Sequence, residues 1–456
     1  MFKLSKYNIC LPLEDNAGYW LLLNGCSGRS AIVDGQTAQT VIAAEKNMQT
    51  LQTLPNETMD QLRELGCLIP VSAREEDTVD MLCNRIHGDS CNKLNISFIP
   101  GYACNFSCPY CFEKSIQTEA PQWYGAQMSE SLADAIFASL DKLLAQGKQI
   151  NNFTLFGGEP LLPQNKQIIH YILERCKAYG SPILVVTNGY YLDTYLELLE
   201  QYPIDTLKIT IDGTEQIHDS RRAPKSGKSF RRILSNVRAA LEKGIAVSLR
   251  TNINRENFDC ISSLRAYYQE QGLTDYPHFS YYFKATMSCF EPEGNAVSDV
   301  QIMESIGSSA CNYCLNSAFN RLYIPLRKML NKTASACFKA EYCGAHSGNM
   351  VFDPFGRIYS CWDVLTDPRS VIGTVDTEAN EFVWNENCKV WQSRTVNRIS
   401  GCAGCKYKLL CGGGCAAQAM VTQDRMDVSF CEDFIERFHR IAAEIALEQI
   451  ASQNKA

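Results

Sequence analysis

No stretch of the 456 residues is both long and apolar enough to span a bilayer, and no run of lysine and arginine is long enough to form a nucleic-acid surface. The formal net charge is −7, which argues further against a polyanionic partner. A secretory signal is also missing: the apolar alternation that follows Met1 to Lys6 is short and has no small-residue cleavage site. These absences predict a cytoplasmic protein with neither a membrane nor a nucleic acid as partner. Apolar residues, at 45%, are ample for two or three separate cores.

Cysteine is in surplus. A reducing compartment disfavours structural disulfides, so 22 cysteines call for metal. Eleven fall into ligand-like patterns described below. The others are Cys10, Cys26, Cys67, Cys83, Cys91, Cys176, Cys260, Cys289, Cys311, Cys314 and Cys388, and most of these sit in apolar company and read as small core residues. So many thiols suggest an anaerobic cytoplasm.

The densest pattern is Cys104-Asn105-Phe106-Ser107-Cys108-Pro109-Tyr110-Cys111, followed by Phe112-Glu113. Three thiols make an incomplete cage for a 4Fe-4S cluster and leave one iron open; zinc normally closes its site with four ligands at paired spacings. The CX3CX2C spacing, with an aromatic residue at Tyr110, resembles the cluster loop of radical S-adenosylmethionine (SAM) enzymes, in which the open iron chelates the amino and carboxylate groups of SAM.

Alternating strand and helix patterns surround that loop. Strands are predicted at Leu94–Pro100, Phe153–Phe156, Ile183–Thr187, Leu207–Ile211, Ala246–Thr251 and His278–Phe283. Helices are predicted at Ser129–Ala145 and near residues 164–179, 191–202, 229–243 and 257–272. Six strands with helical crossovers imply a parallel sheet curled into a partial (β/α)6 barrel of the TIM type, with chemistry at the C-terminal strand ends.

Motifs fall at those ends. Gly157-Gly158-Glu159-Pro160 matches the GGEP motif of radical SAM enzymes, which grips the SAM amino group; glycines allow close backbone approach and proline fixes the turn. Thr187-Asn188-Gly189, Thr210-Ile211-Asp212-Gly213 and His218-Asp219-Ser220-Arg221-Arg222 resemble further segments of the family. By that resemblance Thr187 and Thr210 contact ribose or carboxylate, and Arg222 pairs with the SAM carboxylate through its donor fork. A surface Arg222 paired with Asp219 is the plain alternative.

Residues 1–92 have their own pattern: strands at Tyr7–Leu13, Tyr19–Leu23 and Ser30–Val33, then helices at Gln39–Asn47, Asn56–Leu65 and Asp77–His87, with an N-terminal cap at Asn56-Glu57-Thr58-Met59-Asp60 and a stop at Gly66. The order resembles the winged-helix RiPP recognition element, which adds a leader peptide as an extra strand. A packing domain without a ligand fits the same pattern.

A bridging region, 286–335, precedes the second cysteine-rich stretch, 336–431. There Cys337, Cys343, Gly356, Cys361, Cys402, Cys405, Cys411, Cys415 and Cys431 follow the order C-x12-G-x4-C, gap, C-x2-C-x5-C-x3-C, gap, C, counted from Cys343. This resembles the SPASM extension of radical SAM maturases. By resemblance Cys337, Cys343, Cys361 and Cys415 hold one auxiliary 4Fe-4S cluster and Cys402, Cys405, Cys411 and Cys431 a second, giving three clusters in all. A zinc ribbon on Cys402, Cys405, Cys411 and Cys415 is the alternative. Asp353-Pro354-Phe355-Gly356 reads as a hairpin turn that delivers Cys361, and Cys311-Asn312-Tyr313-Cys314 reads as loop packing. A closing amphipathic helix within 432–456 is expected to pack across the barrel or the cluster region.

The resemblance implies reductive SAM cleavage to a 5′-deoxyadenosyl radical, hydrogen abstraction from an unactivated carbon of a precursor peptide with a leader, and a flavodoxin or ferredoxin-type electron donor. The expected product is a crosslink, most simply a Cys-derived thioether. An anaerobic sulfatase-maturating enzyme is the nearest rival. In that group an Asp directly follows the third SPASM Cys, whereas here Trp362 precedes Asp363, the one catalytic candidate. A multi-cluster electron carrier is the third reading, and the GGEP turn counts against it.

Overall fold

The computed structural model describes residues 1–13, 18–224, 227–307, 317–333 and 337–453. Cys311, Asn312, Tyr313 and Cys314 lie outside them. The chain divides into two compact units, each drawn from separated segments: 1–88, 318–343 and 394–456 form the first, 89–317 and 344–393 the second. The cysteine-rich stretch 336–431 therefore contributes to both.

In the first unit β1 (Phe2–Leu4), β2 (Asn8–Pro12), β3 (Tyr19–Asn24), β4 (Ser30–Asp34) and β5 (Leu68–Pro70) make two small antiparallel sheets, β2-β3-β4 and β1-β5. Alternation along the three-stranded sheet gives it two apolar faces. One face, with Cys10, Leu22, Ala31 and Val33, packs into a core with Val41, Leu51, Leu62 and Leu65 from the helical part of the unit. Leu11, Leu21 and Leu23 lie buried at the intervening positions. The closing helix, Phe434–Gln453, packs on β2 and β3 and along helix Ala318–Leu330. It is thus part of the first unit; it meets the cysteine-rich region, one of the two predicted surfaces, where Phe438 packs edge-on against Tyr407 at 5.5 Å, and its contact with the N-terminal sheet is one the sequence did not signal.

Helix α1 (Gly35–Ala44) starts earlier than the apolar spacing predicts, because the Asp34 carboxylate accepts from Thr37 N at 2.8 Å and caps it. Helix α2 (Asn56–Glu64) has Pro55 at its cap position with no side-chain bond, so the predicted cap at Asn56 is absent. It ends at Gly66, which adopts φ +79°. Helix α3 (Glu75–Cys91) buries Val79 and Cys83 against Tyr7, Ala340, Val396 and Leu409.

The second unit is built on one ten-stranded sheet. Its strands are β6 (Lys93–Phe98), β7 (Gln149–Leu155), β8 (Ile183–Thr187), β9 (Ile204–Thr210), β10 (Val247–Ile253), β11 (Phe279–Ala285), β12 (Asn349–Phe352), β13 (Arg357–Tyr359), β14 (Val371–Asp376) and β15 (Glu381–Trp384). Strands β6 to β11 are the six predicted, neighbouring and parallel in chain order, as in a partial TIM barrel. The sheet continues past β6 through β12, which is parallel to it, and then through antiparallel β13 to β15. Asp353 makes the β12–β13 turn by accepting from Phe355 N and Arg357 N, both at 2.9 Å, and Gly356 takes φ +74°.

Most crossover helices match the sequence pattern; Glu130–Ala145 is capped by Ser129, which accepts from Leu132 N. The predicted helix near 191–202 shrinks to a turn at Leu192–Thr194 and one turn at Leu196–Leu199. The bridging region holds helix Asp299–Ile306, started by a capping box between Ser298 and Gln301. Among the described residues no helix is long and apolar enough to cross a membrane.

Candidate active site at the strand ends

Strand β6 carries the chain directly into the thiol loop. Tyr124 pins the loop's start, donating its hydroxyl to Cys104 O at 2.6 Å and accepting from Cys104 N at 3.1 Å, and a Cys111 N to Cys108 O bond of 3.2 Å closes its end. Cys104, Cys108 and Cys111 line one cavity, together with Phe106 and Glu113. Burial raises all three thiols, Cys111 to about 12, and each feels at least one of the others or a nearby carboxylate. Among the described residues no three His, Cys, Asp or Glu side chains are closed into a metal cage. The donor chemistry nevertheless fits an iron-sulfur cluster: three soft thiols meet on one loop, and cationic iron would relieve the cost of ionising them in a buried place.

The turn after β7 is shaped by this loop. A Cβ on Gly158 would stand 2.3 Å from Tyr102 O and 2.5 Å from Ala103 O, and one on Gly157, at φ +127°, would stand 2.8 Å from Gly101 O. The two glycines are required by the approach of one backbone to another, whereas the sequence suggests approach to a ligand. Glu159, 1% exposed, is held inside. Its Oε1 accepts from Leu161 N at 2.9 Å and Thr187 Oγ1 at 2.5 Å, and its Oε2 from Asn188 N at 2.6 Å. The carboxylate thus ties the end of β7 to the end of β8, and the predicted ribose contact of Thr187 has its hydroxyl proton engaged here. Pro160 presents its carbonyl to Asn165 Nδ2 at 3.1 Å.

Tyr110 centres a second network. Its hydroxyl donates to Asp212 and accepts from Arg222 Nη1 at 2.7 Å and Asn252 Nδ2 at 3.3 Å. Arg221 lies over the Tyr110 ring at 5.1 Å and bonds Asn254 and Glu256. Burial opposes the charge on Arg222, but Cys108, Tyr110 and Asp212 outweigh it and hold its pKa above the ordinary arginine value. Arg222 is 8% exposed and its Nε has no partner. The surface pairing with Asp219 does not occur: Asp219 instead accepts from Ser229 N and Phe230 N, both at 2.9 Å, at the start of helix Phe230–Glu242. Thr210 stands beside Arg250 in the β9–β10 register, at the same level as the network.

Asp363 follows Cys361, whose thiol points at its Oδ2 at 3.8 Å. Burial pushes this carboxyl up against the pull of Arg250. Between them, Trp362 stacks on Phe156 at 4.7 Å, and Phe156 lies parallel to Phe112 at 6.1 Å. An aromatic wall therefore runs from the residue after Cys361 to the residue after Cys111. Nothing in the spacing of the sequence signals it, nor the burial of Asp353, which receives Tyr102 OH at 3.0 Å.

The remaining cysteines divide between the units. Cys402, Cys405, Cys411 and Cys431 belong to the first unit and are mutually close: burial, then the other three thiols, raise Cys402 to about 12. Gly412, Gly413 and Gly414 all have φ between +80° and +85°. A Cβ on Gly414 would stand 1.7 Å from Phe430 O. Buried Arg394 bonds the carbonyls of Met426, Val428 and Gly414 at 2.5, 2.9 and 2.9 Å, and feels Cys415, Cys343, Cys402 and Cys411. Cys337 is close to Lys339, and Tyr342 to Cys415 and Cys343. Cys361 belongs to the second unit.

Residues 98–266 match the family model described as "Radical SAM superfamily". The cysteine-type anaerobic sulfatase-maturating enzyme of Clostridium novyi (strain NT) is 22% identical over 366 residues, covering 74% of this chain and 92% of that protein. The sporulation killing factor maturation protein SkfB of Bacillus subtilis (strain 168) is 27% identical over 164 residues, 36% of each. The structure of Streptococcus suis SuiB bound to precursor peptide SuiA shares the fold, with a TM-score of 0.52 at 13% identity over 94% of this chain and 98% of that one.

Proposed function

We propose, from the premise that the chain carries a radical SAM domain and is an enzyme of that superfamily acting on peptides, that it is a maturase which binds a ribosomally made precursor peptide and installs a crosslink in it. A Cys-derived thioether is the simplest product. The observation that carries the reading is the cavity in which Cys104, Cys108 and Cys111 converge beside the turn Gly157–Pro160.

When bound, a 4Fe-4S cluster and SAM supply abstraction of a hydrogen atom from an unactivated carbon. The chain's own residues do the rest. Cys104, Cys108 and Cys111 would hold the cluster, and Tyr110 fixes their loop to Asp212 and Arg222. Thr210 and Arg222 would contact SAM, with the backbone of Gly157–Pro160 shaping the site and Glu159 and Thr187 bracing it. The wall of Phe112, Phe156 and Trp362 excludes water beside Asp363, which would take the substrate proton. Cys402, Cys405, Cys411 and Cys431, all of the first unit, would hold an auxiliary cluster, which provides an exit for the second electron that a new bond releases.

Binding of the leader is supported by β4, which among the described residues pairs only with β3, and by the groove of about 620 Å³ lined by Leu21, Ala31, Ile32, Leu330 and Ile445 beside it. An extended peptide added to such an edge gains main-chain hydrogen bonds. The sulfatase-maturing reading is favoured by a different observation, the match to 92% of the Clostridium novyi protein. Mass spectrometry after anaerobic incubation of the reconstituted, reduced protein with SAM and a candidate precursor decides between them. Loss of two hydrogens with a new bond at cysteine is expected; conversion of a cysteine or serine of a sulfatase peptide to an aldehyde supports the second reading, and absence of 5′-deoxyadenosine overturns both.

A further inference from the structure

The cavity at the thiol loop contains one polar atom for which no described residue supplies a partner. Glu113 lines it with the three thiols. Its Oε1 is sealed from solvent and has no hydrogen-bond partner. The residue is fixed on both sides: Ile116 N bonds its carbonyl at 2.9 Å, and the neighbouring Phe112 ring lies parallel to Phe156. Lys114, which lines the same cavity, has an exposed side chain. A buried acceptor left without a hydrogen bond is destabilising, so a donor is expected at this atom.

An iron-sulfur cluster brings only sulfur acceptors to the cavity. The donor must come from the second ligand. Of the three carboxylates near the thiols, Glu159 already has partners at both oxygens, from Leu161, Thr187 and Asn188, and so has Asp212, from Tyr110 and Asn252. Glu113 has an oxygen to offer. The unpartnered Nε of Arg222, whose Nη1 bonds the loop residue Tyr110, offers a donor. An amino acid moiety presents the complementary pair, N–H donors at one group and carboxylate acceptors at the other.

We propose that Glu113 accepts a hydrogen bond from the α-amino group of the methionine moiety of SAM, the place usually given to the GGEP turn alone. This rests on the radical SAM reading. It makes the residue two positions after the last loop cysteine a determinant of cofactor affinity.

The test compares the reconstituted full-length protein with its Glu113→Gln and Glu113→Asp variants, by anaerobic equilibrium dialysis against SAM and against the SAM analogue lacking the α-amino group. Glu113→Gln is expected to weaken SAM binding about 10- to 100-fold, the span of a charge-assisted hydrogen bond, with Glu113→Asp closer to the parent. Affinity for the analogue is expected to be the same in all three proteins. Unchanged SAM affinity in Glu113→Gln overturns the proposal, as does an equal loss for SAM and analogue. Iron and acid-labile sulfide are expected at parental levels; loss of cluster in Glu113→Gln assigns the residue to holding the loop and overturns the proposal too. A parent protein that binds no SAM at all refutes the underlying reading instead, and is thereby distinguished.

Discussion

The two units reach their cysteine sites by opposite routes. In the second unit, β6 to β11 follow one another in chain and in space, and the loops at their ends meet because the parallel sheet brings them together. In the first, segments 1–88, 318–343 and 394–456 are joined across long separations, and the sheet of the N-terminal segment is covered by the last helix of the chain. The glycines differ in the same way. Those beside Cys104 are on the end of another strand and admit that loop's carbonyls; those after Cys411 lie within the cysteine loop and turn it on itself. A site made from separate strand ends leaves a cavity beside its thiols, whereas Cys402, Cys405, Cys411 and Cys431 of the first unit come from one stretch of chain, with Cys402 and Cys411 buried and Cys431 exposed.

The largest effect expected from this difference is that of removing the N-terminal segment. Deleting residues 1–88 strips the sheet from helix Phe434–Gln453, whose Phe438, Ile441 and Ile445 are at most 1% exposed. The truncated chain should lose soluble expression, measured as the soluble fraction and the cooperativity of melting; a well-folded truncate would show that the first unit is not one body. Cys108→Ala should abolish 5′-deoxyadenosine formation and remove about one cluster's iron, while Cys405→Ala should leave cofactor cleavage within several-fold of the parent. Equal losses would erase the distinction between the two thiol loops.

A third and smaller effect is expected at Gly414. Alanine there meets Phe430 O and a left-handed backbone, for a cost of about 2–4 kcal/mol that calorimetry should assign to the first unit's transition. Smallest are the caps. Asp34→Ala in the first unit and Ser129→Ala in the second should each cost about 1 kcal/mol, because both side chains accept one helix N–H; a large inequality in melting shifts would mean that the units differ even in local energetics.

The barrel was legible because each strand is an apolar run with helix-period residues behind it, and its motifs fall where strands end. Less was legible wherever distant segments decide the outcome. Strands β1 and β5 are three residues each and exist by pairing Lys3 with Ile69 across the unit. Strands β12 to β15 prolong the sheet because β12 finds β6, more than 200 residues away in sequence and without any periodicity to announce it. The amphipathic last helix was visible, but not which surface it covers.

Sequence by itself determined which atoms are available: three thiols at one spacing and eight at another, a Gly-Gly turn after an apolar strand, and the alternation that makes a parallel sheet. Local chemistry is sufficient for these, since spacing and side-chain type act within a few residues. Only the tertiary structure decided how those atoms are engaged. It turned Glu159 inward onto Thr187 and Asn188, joined Tyr110 to Asp212 and Arg222, and left the Oε1 of Glu113 without a partner. Those outcomes depend on burial and on neighbours 28 to 112 residues apart in the chain, and a hydrogen bond is satisfied in space.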